Sequence, residues 1–202
     1  MEYNPEEKEI ISNKELNELD KFVIDFCSYL DEYVIVSGYV SILLGRSRAT
    51  EDVDLLIPSM SKEEFEILWD KLHNNDFECM NTSDPGEAFK MLKEHAIRFF
   101  KRGKPTPNIE FKIIKNDLDK YAYENKLRVI LTKGELFISP LESQIPYKLF
   151  LAADGADKEL QSDKDIEDAR HLYKLFEQKL NKEELLFFIN KLKVDKKLKF
   201  LK

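Results

Sequence analysis

A chain of 202 residues is long enough for one sizeable core, alone or with a helical appendage. Hydrophobic residues at 43% and aromatics at 11% specify a folded protein, while a 35% charged fraction with net charge −7 disfavours broad, non-specific binding to nucleic acid and leaves room for a local basic groove. No apolar run approaches the roughly 18 residues of a membrane span, the acidic start Met1-Glu2-Tyr3-Asn4-Pro5-Glu6-Glu7 is unlike a signal peptide, and Cys27 and Cys79 lack Cys-x-x-Cys spacing and suit buried thiols. The expected location is the cytoplasm, with no membrane partner.

In chain order, residues 12–30 predict the first helix: Leu16, Leu19, Phe22, Val23, Phe26, Cys27 and Leu30 recur at three-and-four spacing, and Ser12 with Glu15 forms a capping-box pattern. A strand over 33–36, a short helix over 39–44 and a strand over 53–57, stopped by Pro58, follow. Ser61 caps a helix to about residue 72, on which Trp69 is expected in the core rather than as a stacking platform. Residues 86–93 predict a helix, 96–100 an extended segment, and 109–114 a strand with Ile109, Phe111 and Ile113 on one face and Glu110 and Lys112 on the other. After a helix over 116–124, residues 127–131 and 135–138 predict a hairpin around Thr132-Lys133-Gly134. Three helices remain, over 141–153, 162–180 and 181–192, with Ile166, Ala169, Leu172, Tyr173 and Phe176 forming a stripe on the second. The lysine-rich segment 191–202 is expected as a solvated end or frayed tail. The change of pattern near residue 140 divides an α/β part, 1–140, from a helical part, 141–202. His73, His95 and His171 show no metal-ligand spacing.

Chemistry concentrates in residues 34–57. Side chains alternate along a strand, so Asp52 and Asp54 share a face while Val53 points into the core. Paired carboxylates repel, and a divalent cation is one remedy; an exposed polar strand face is the other reading. Just upstream, the turn at Ser37-Gly38 permits close approach of a ligand and opens a helix whose free N–H groups favour a phosphate.

The segment Ser37-Gly38 followed by Gly45-Arg46-Ser47-Arg48-Ala49-Thr50-Glu51-Asp52-Val53-Asp54 resembles the nucleotidyltransferase superfamily related to DNA polymerase β, and most of all its minimal nucleotidyltransferase and AbiEii-type toxin branch. The resemblance implies an α/β (α+β) architecture, a small mixed β-sheet with flanking helices followed by a C-terminal helical region. It also implies transfer of NMP from an NTP, such as ATP, to an acceptor hydroxyl with release of pyrophosphate. Relatives carry Gly-Gly or Gly-Ser where this chain has Ser37-Gly38, a departure that leaves open a weakened or altered site.

Carried over residue by residue, Asp52 and Asp54 correspond to ligands of Mg²⁺ or Mn²⁺, and Glu110 in Asn108-Ile109-Glu110-Phe111-Lys112 to a third ligand or base, where aspartate is common. Ser37, Gly38, Arg46 and Arg48 would hold phosphates, although the two arginines also read as a solvated pair balancing Glu51. Glu142-Ser143-Gln144-Ile145-Pro146-Tyr147-Lys148 is similar to an AbiEii-like helix ending in a nucleotide-facing lysine. Asp163-Lys164-Asp165-Ile166-Glu167-Asp168 is similar to a later Lys-Asp segment in those proteins, so Lys148 and Lys164 join the site by resemblance. Solvated lysines, and a helix cap at Ser162 and Asp165, are the other readings. Implied partners are the NTP, an acceptor that is RNA, protein or a small molecule, and an antitoxin protein. A non-catalytic nucleotide-binding module is the competing reading.

Overall fold

The computed structural model describes residues 1–152 and 163–201. In chain order its elements are β1 (Glu2–Asn4), β2 (Glu9–Ile11), α1 (Glu18–Cys27), β3 (Val34–Val36), α2 (Gly38–Leu43), β4 (Asp52–Ile57), α3 (Lys62–Asn74), β5 (Phe77–Cys79), α4 (Pro85–Glu94), β6 (Ile97–Lys101), β7 (Lys104–Ile113), α5 (Asp117–Glu124), β8 (Leu127–Ile130), β9 (Glu135–Ile138), α6 (Leu141–Leu151), α7 (Lys164–Phe176), α8 (Lys182–Leu192) and a 3-10 helix (Asp195–Phe200). The described strands form one mixed sheet in the order β1-β2-β8-β9-β3-β4-β7-β6-β5.

At the sheet centre β3 runs antiparallel to β4, with Val36 opposite Asp54, and β4 runs parallel to β7. One face is apolar. Phe26 of α1 touches Phe77, Phe99 and Phe111, and Trp69 of α3 touches Phe99, so α1 and α3 cover the face to which Ile109 and Phe111 point. Period-two alternation sends Asp52, Asp54, Glu110 and Lys112 to the opposite face. Buried side chains of α6, α7 and α8 belong to the same continuous hydrophobic cluster as the sheet, among them Leu141, Ile145, Ile166 and Leu185.

The first helix starts later than the sequence predicts. Residues 9–11 pair in parallel with β8 and the Ser12 N–H donates to the Ile130 carbonyl, so the sheet takes this segment and the helix opens at its second capping box. There the Asn17 side chain accepts from the Asp20 N–H, and the Asp20 carboxylate accepts from the Asn17 N–H. The strands β1, β2 and β5 went unpredicted because these three-residue runs mix polar with apolar residues, whereas the equally short β3 is the all-apolar Val34-Ile35-Val36 ahead of a glycine turn. The C-terminal segment is pinned rather than frayed: Val194, Phe200 and Leu201 are buried, and Arg170 Nε donates to the Phe200 carbonyl at 2.7 Å. Cys27 is buried, but Cys79 is only half-buried. The predicted cap Ser162 and helix end at 153 lie outside the described residues; Asp163 caps α7, accepting from the Asp165 and Ile166 N–H groups. Among the described residues no helix is long and apolar enough to cross a membrane.

Candidate active site

Parallel pairing of β4 with β7 sets Asp52 opposite Asn108 and Asp54 opposite Glu110. The ammonium of Lys112, one step further on β7, bridges the second pair, 2.7 Å from Asp54 Oδ1 and 2.8 Å from Glu110 Oε1. Arg98 of β6 reaches the other oxygen of Glu110 at 3.0 Å. Burial pushes the Glu110 carboxyl up, but Lys112 and Arg98 outweigh it and hold the group below the usual glutamate range. For Lys112, burial favours the neutral amine, and the two carboxylates overcome that to raise it above the ordinary lysine value. Asp52 is half-buried, and its Oδ1 accepts from the Thr50 hydroxyl at 3.3 Å.

Asn108 adds an oxygen that sequence reasoning passed over. Its Nδ2 donates to the Glu51 carbonyl at 2.9 Å, while its buried Oδ1 has no hydrogen-bond partner among the described residues. The signal was its place two residues before Glu110, on the same strand face. Two aspartates, a glutamate and an orphaned amide oxygen on adjacent strands are hard oxygen donors, and the two carboxylates in register already attract a cation. That donor set fits Mg²⁺ or Mn²⁺. Among the described residues, however, no three His, Cys, Asp or Glu side chains converge as a ready-made metal cluster.

At the turn before α2, Ser37 takes φ 63° and ψ −132°, a conformation that ordinarily belongs to glycine. Gln144 of α6 clasps its peptide: Oε1 accepts from the Ser37 N–H at 3.2 Å and Nε2 donates to the Ser37 carbonyl at 2.7 Å. The Ser139 hydroxyl donates to the same Oε1 at 2.8 Å. Gln144 is a second residue not predicted to matter, since its partner lies far upstream. Gly38 serves by its missing side chain, because a Cβ there would run into the Arg48 guanidinium.

The predicted phosphate-holding cations Arg46, Arg48 and Lys148 meet carboxylates. Arg48 binds Asp168 through two nitrogens at 3.1 and 3.0 Å, and Arg46 pairs with Asp168 and Glu167. Lys148, 2% exposed, lies 2.6 Å from Asp165 and 3.0 Å from Asp168. Lys164 is exposed at the start of α7, and its carbonyl accepts from Arg46 Nη1 at 3.1 Å. A cavity of about 350 Å³, within the range of small-molecule sites, is lined by Ser37, Asp54, Lys112, Asp119, Gln144 and Tyr147 among others, so that of the three predicted metal carboxylates Asp54 alone faces it. Burial, then the nearby Asp54 charge, raises the Tyr147 hydroxyl above its ordinary value, so it stays protonated as a donor at neutral pH.

Comparison with solved structures gives the fold a context. The crystal structure of an antigenic nucleotidyltransferase-like protein from Paracoccidioides brasiliensis is 18% identical, with 89% of this chain and 88% of that one covered and a TM-score of 0.54. That of ANT(2")-Ia in complex with adenylyl-2"-tobramycin is 12% identical over 87% of this chain and 95% of that one, with a TM-score of 0.46. No protein-family model and no curated protein sequence matches the chain. The architecture is nucleotidyltransferase-like.

Proposed function

We propose that the protein is a Mg²⁺- or Mn²⁺-dependent nucleotidyltransferase that moves NMP from an NTP to an acceptor hydroxyl. The observation that carries this reading is the register of Asp54 with Glu110 on the strand pair that also holds Asp52, beside the Ser37-Gly38 turn and the cavity. Asp52, Asp54 and Glu110 would hold the metal, with Asn108 Oδ1 within the same row. When bound, the ion supplies charge neutralisation and orientation of the triphosphate. In the transfer, the acceptor oxygen forms a bond to the α-phosphorus as the bond to the β-phosphate oxygen breaks, and pyrophosphate leaves. Glu110, ionised at neutral pH, suits a ligand role; as a base it would receive the hydroxyl proton.

Ser37 and Gly38 would meet phosphate at the turn; Arg46, Arg48 and Lys148, which the structure pairs with Asp165, Glu167 and Asp168, would have to turn from these carboxylates to join the exposed Lys164 in holding it. The α/β part up to residue 140 would then carry the metal ligands and the helices beyond it the lysines. Kinship with AbiEii-type toxins rests on the Gly45-to-Asp54 segment and on Lys148 and the Lys164-Asp165 step; it would bring an antitoxin partner and an RNA or protein acceptor, in place of a small molecule. Cytoplasmic location fits the absence of a long apolar helix among the described residues. A second reading, a nucleotide-binding module without turnover, draws on Lys112 filling the gap between the carboxylates.

The test incubates wild type and Asp54→Asn with Mg²⁺, each α-labelled NTP, RNA, protein extract and small hydroxylated acceptors. Wild type is expected to transfer label and Asp54→Asn to lose about 10³-fold in rate, the several kcal/mol that a correctly held ion contributes. Full turnover by the variant would remove Asp54 from the site. NTP binding without pyrophosphate release by wild type would favour the binding module.

A further inference from the structure

Lys112 occupies an unusual position for a charged side chain in such a site. Its ammonium touches one oxygen of Asp54 and one of Glu110, and Arg98 takes the second oxygen of Glu110, so both Glu110 oxygens already have a cationic partner. A divalent ion of the Mg²⁺ class binds carboxylate oxygen at about 2.0–2.1 Å and carries two charges. An ammonium at hydrogen-bond distance from the same oxygens opposes its binding, because like charges so close in a half-buried setting repel. The ion and the lysine compete for Asp54 and Glu110.

We propose that Lys112 is a resident cation that neutralises Asp54 and Glu110 in the metal-free protein and must leave them before a divalent ion binds. The proposal rests on the metal-site reading above. Space for the departure exists: the side chain of Lys112 is 35% exposed and lines the cavity with Ser37 and Tyr147. Once displaced, its ammonium enters that cavity, which Asp119 also lines, and an anionic ligand there would compete with that carboxylate to be its new partner. Metal and anion would then bind cooperatively, the ion releasing the charge that the anion needs. Metal-free stability and metal affinity are thus set against each other at one residue: the lysine relieves repulsion between the carboxylates and by the same contact competes with the ion.

The experiment titrates Mn²⁺ into wild type, Lys112→Gln, Lys112→Arg and Asp54→Asn by calorimetry, with thermal melts in EDTA and in excess Mn²⁺. Lys112→Gln removes the competing charge and keeps a polar side chain of similar reach. It is expected to bind Mn²⁺ at least about tenfold more tightly than wild type, because the ion no longer has to displace the two charge-assisted contacts to Asp54 and Glu110. Its melting temperature should fall in EDTA and rise on Mn²⁺ addition by more than that of wild type. Lys112→Arg keeps the charge in a fork that grips carboxylates more firmly, so it should fold as wild type does and bind Mn²⁺ no better. Equal or weaker Mn²⁺ affinity in Lys112→Gln, or tighter affinity in Lys112→Arg, overturns the proposal while leaving the metal site standing. Absence of Mn²⁺ binding in wild type and both Lys112 variants overturns the metal site itself, and this inference with it.

Discussion

Ser37 and Gly38 show how much a site can depend on two neighbouring residues with opposite demands. Ser37 sits at φ 63° and ψ −132°, which for an L-residue costs about 1–3 kcal/mol, and it persists because Gln144 satisfies both of its peptide groups. Ser37→Gly relieves that strain but adds about 0.5–1 kcal/mol of unfolded-state entropy. The strain is the larger quantity, so the variant is expected to gain about 1 kcal/mol in a denaturant titration. Gly38 has the reverse need, for space rather than for an unusual backbone. Gly38→Ala should push Arg48 off the fully buried Asp168 and destabilise by about 1–3 kcal/mol, since Arg46 and Lys148 still partner that carboxylate. In an Arg48→Ala background most of this penalty should vanish, and a double-mutant cycle showing additivity would contradict the close approach. Sequence alone flagged both residues through the motif. It gave no hint of the Gln144 clasp, 107 residues from Ser37, or of Asp168, 120 residues from Arg48, and the Lys148–Asp165 pair, though only 17 residues apart, joins two different helices, so only the docking of α6 and α7 brings these partners in.

Elements with strong local signals fell where the sequence placed them. The Ser61 cap of α3 is completed by Glu64, the β8–β9 hairpin forms around Gly134, and β4 stops before Pro58. Where signals were duplicated or too short, tertiary pairing decided, as in the displacement of the α1 start by β2. Glu142 of α6 illustrates a link between elements that no local pattern encodes. Its Oε1 accepts from the N–H of Asn181, the cap of α8, at 2.9 Å, while the residue is 4% exposed. Burial raises its pKa above the ordinary glutamate value, with Glu184 adding to the rise and the Asn181 and Glu142 N–H groups reducing it. A carboxyl whose folded pKa is raised binds its proton more tightly in the folded state. Its stabilising effect is therefore greatest below the unfolded value near 4.3 and is lost as pH rises through the folded pKa. Glu142→Gln keeps the acceptor and deletes the buried charge. The variant should match wild type in melting temperature at pH below about 4 and exceed it at pH 7; a lower melting temperature at pH 7 would show that the charge itself secures α8.

Over the whole molecule, Asp168 joins the loop between α2 and β4 to the helices that follow the sheet. It is fully buried and takes Arg46 and Arg48 from that loop and Lys148 from α6, while Asp165 and Glu167 complete a balance of three cations with three carboxylates. Neutralising the hub by Asp168→Asn leaves buried positive charge without compensation, a change that costs about 3–5 kcal/mol. How that loss spreads depends on whether the helices after residue 140 form a unit of their own. The continuous hydrophobic cluster running from Phe111 through Ile145 to Leu172 argues for one cooperative body. Two probes separate the alternatives: Trp69 lies on α3, against the sheet face opposite the carboxylates, and far-UV circular dichroism is dominated by helices throughout the chain. Wild type is expected to show coincident transitions by fluorescence and dichroism, and Asp168→Asn to move both to lower denaturant by the same amount. If the dichroism midpoint moved while Trp69 kept its own, the helices would be folding independently. Arg48 would then be held at the Gly38 turn by a docking equilibrium rather than by the fold, and the arrangement of positive charge around the candidate site would depend on whether the helices are seated.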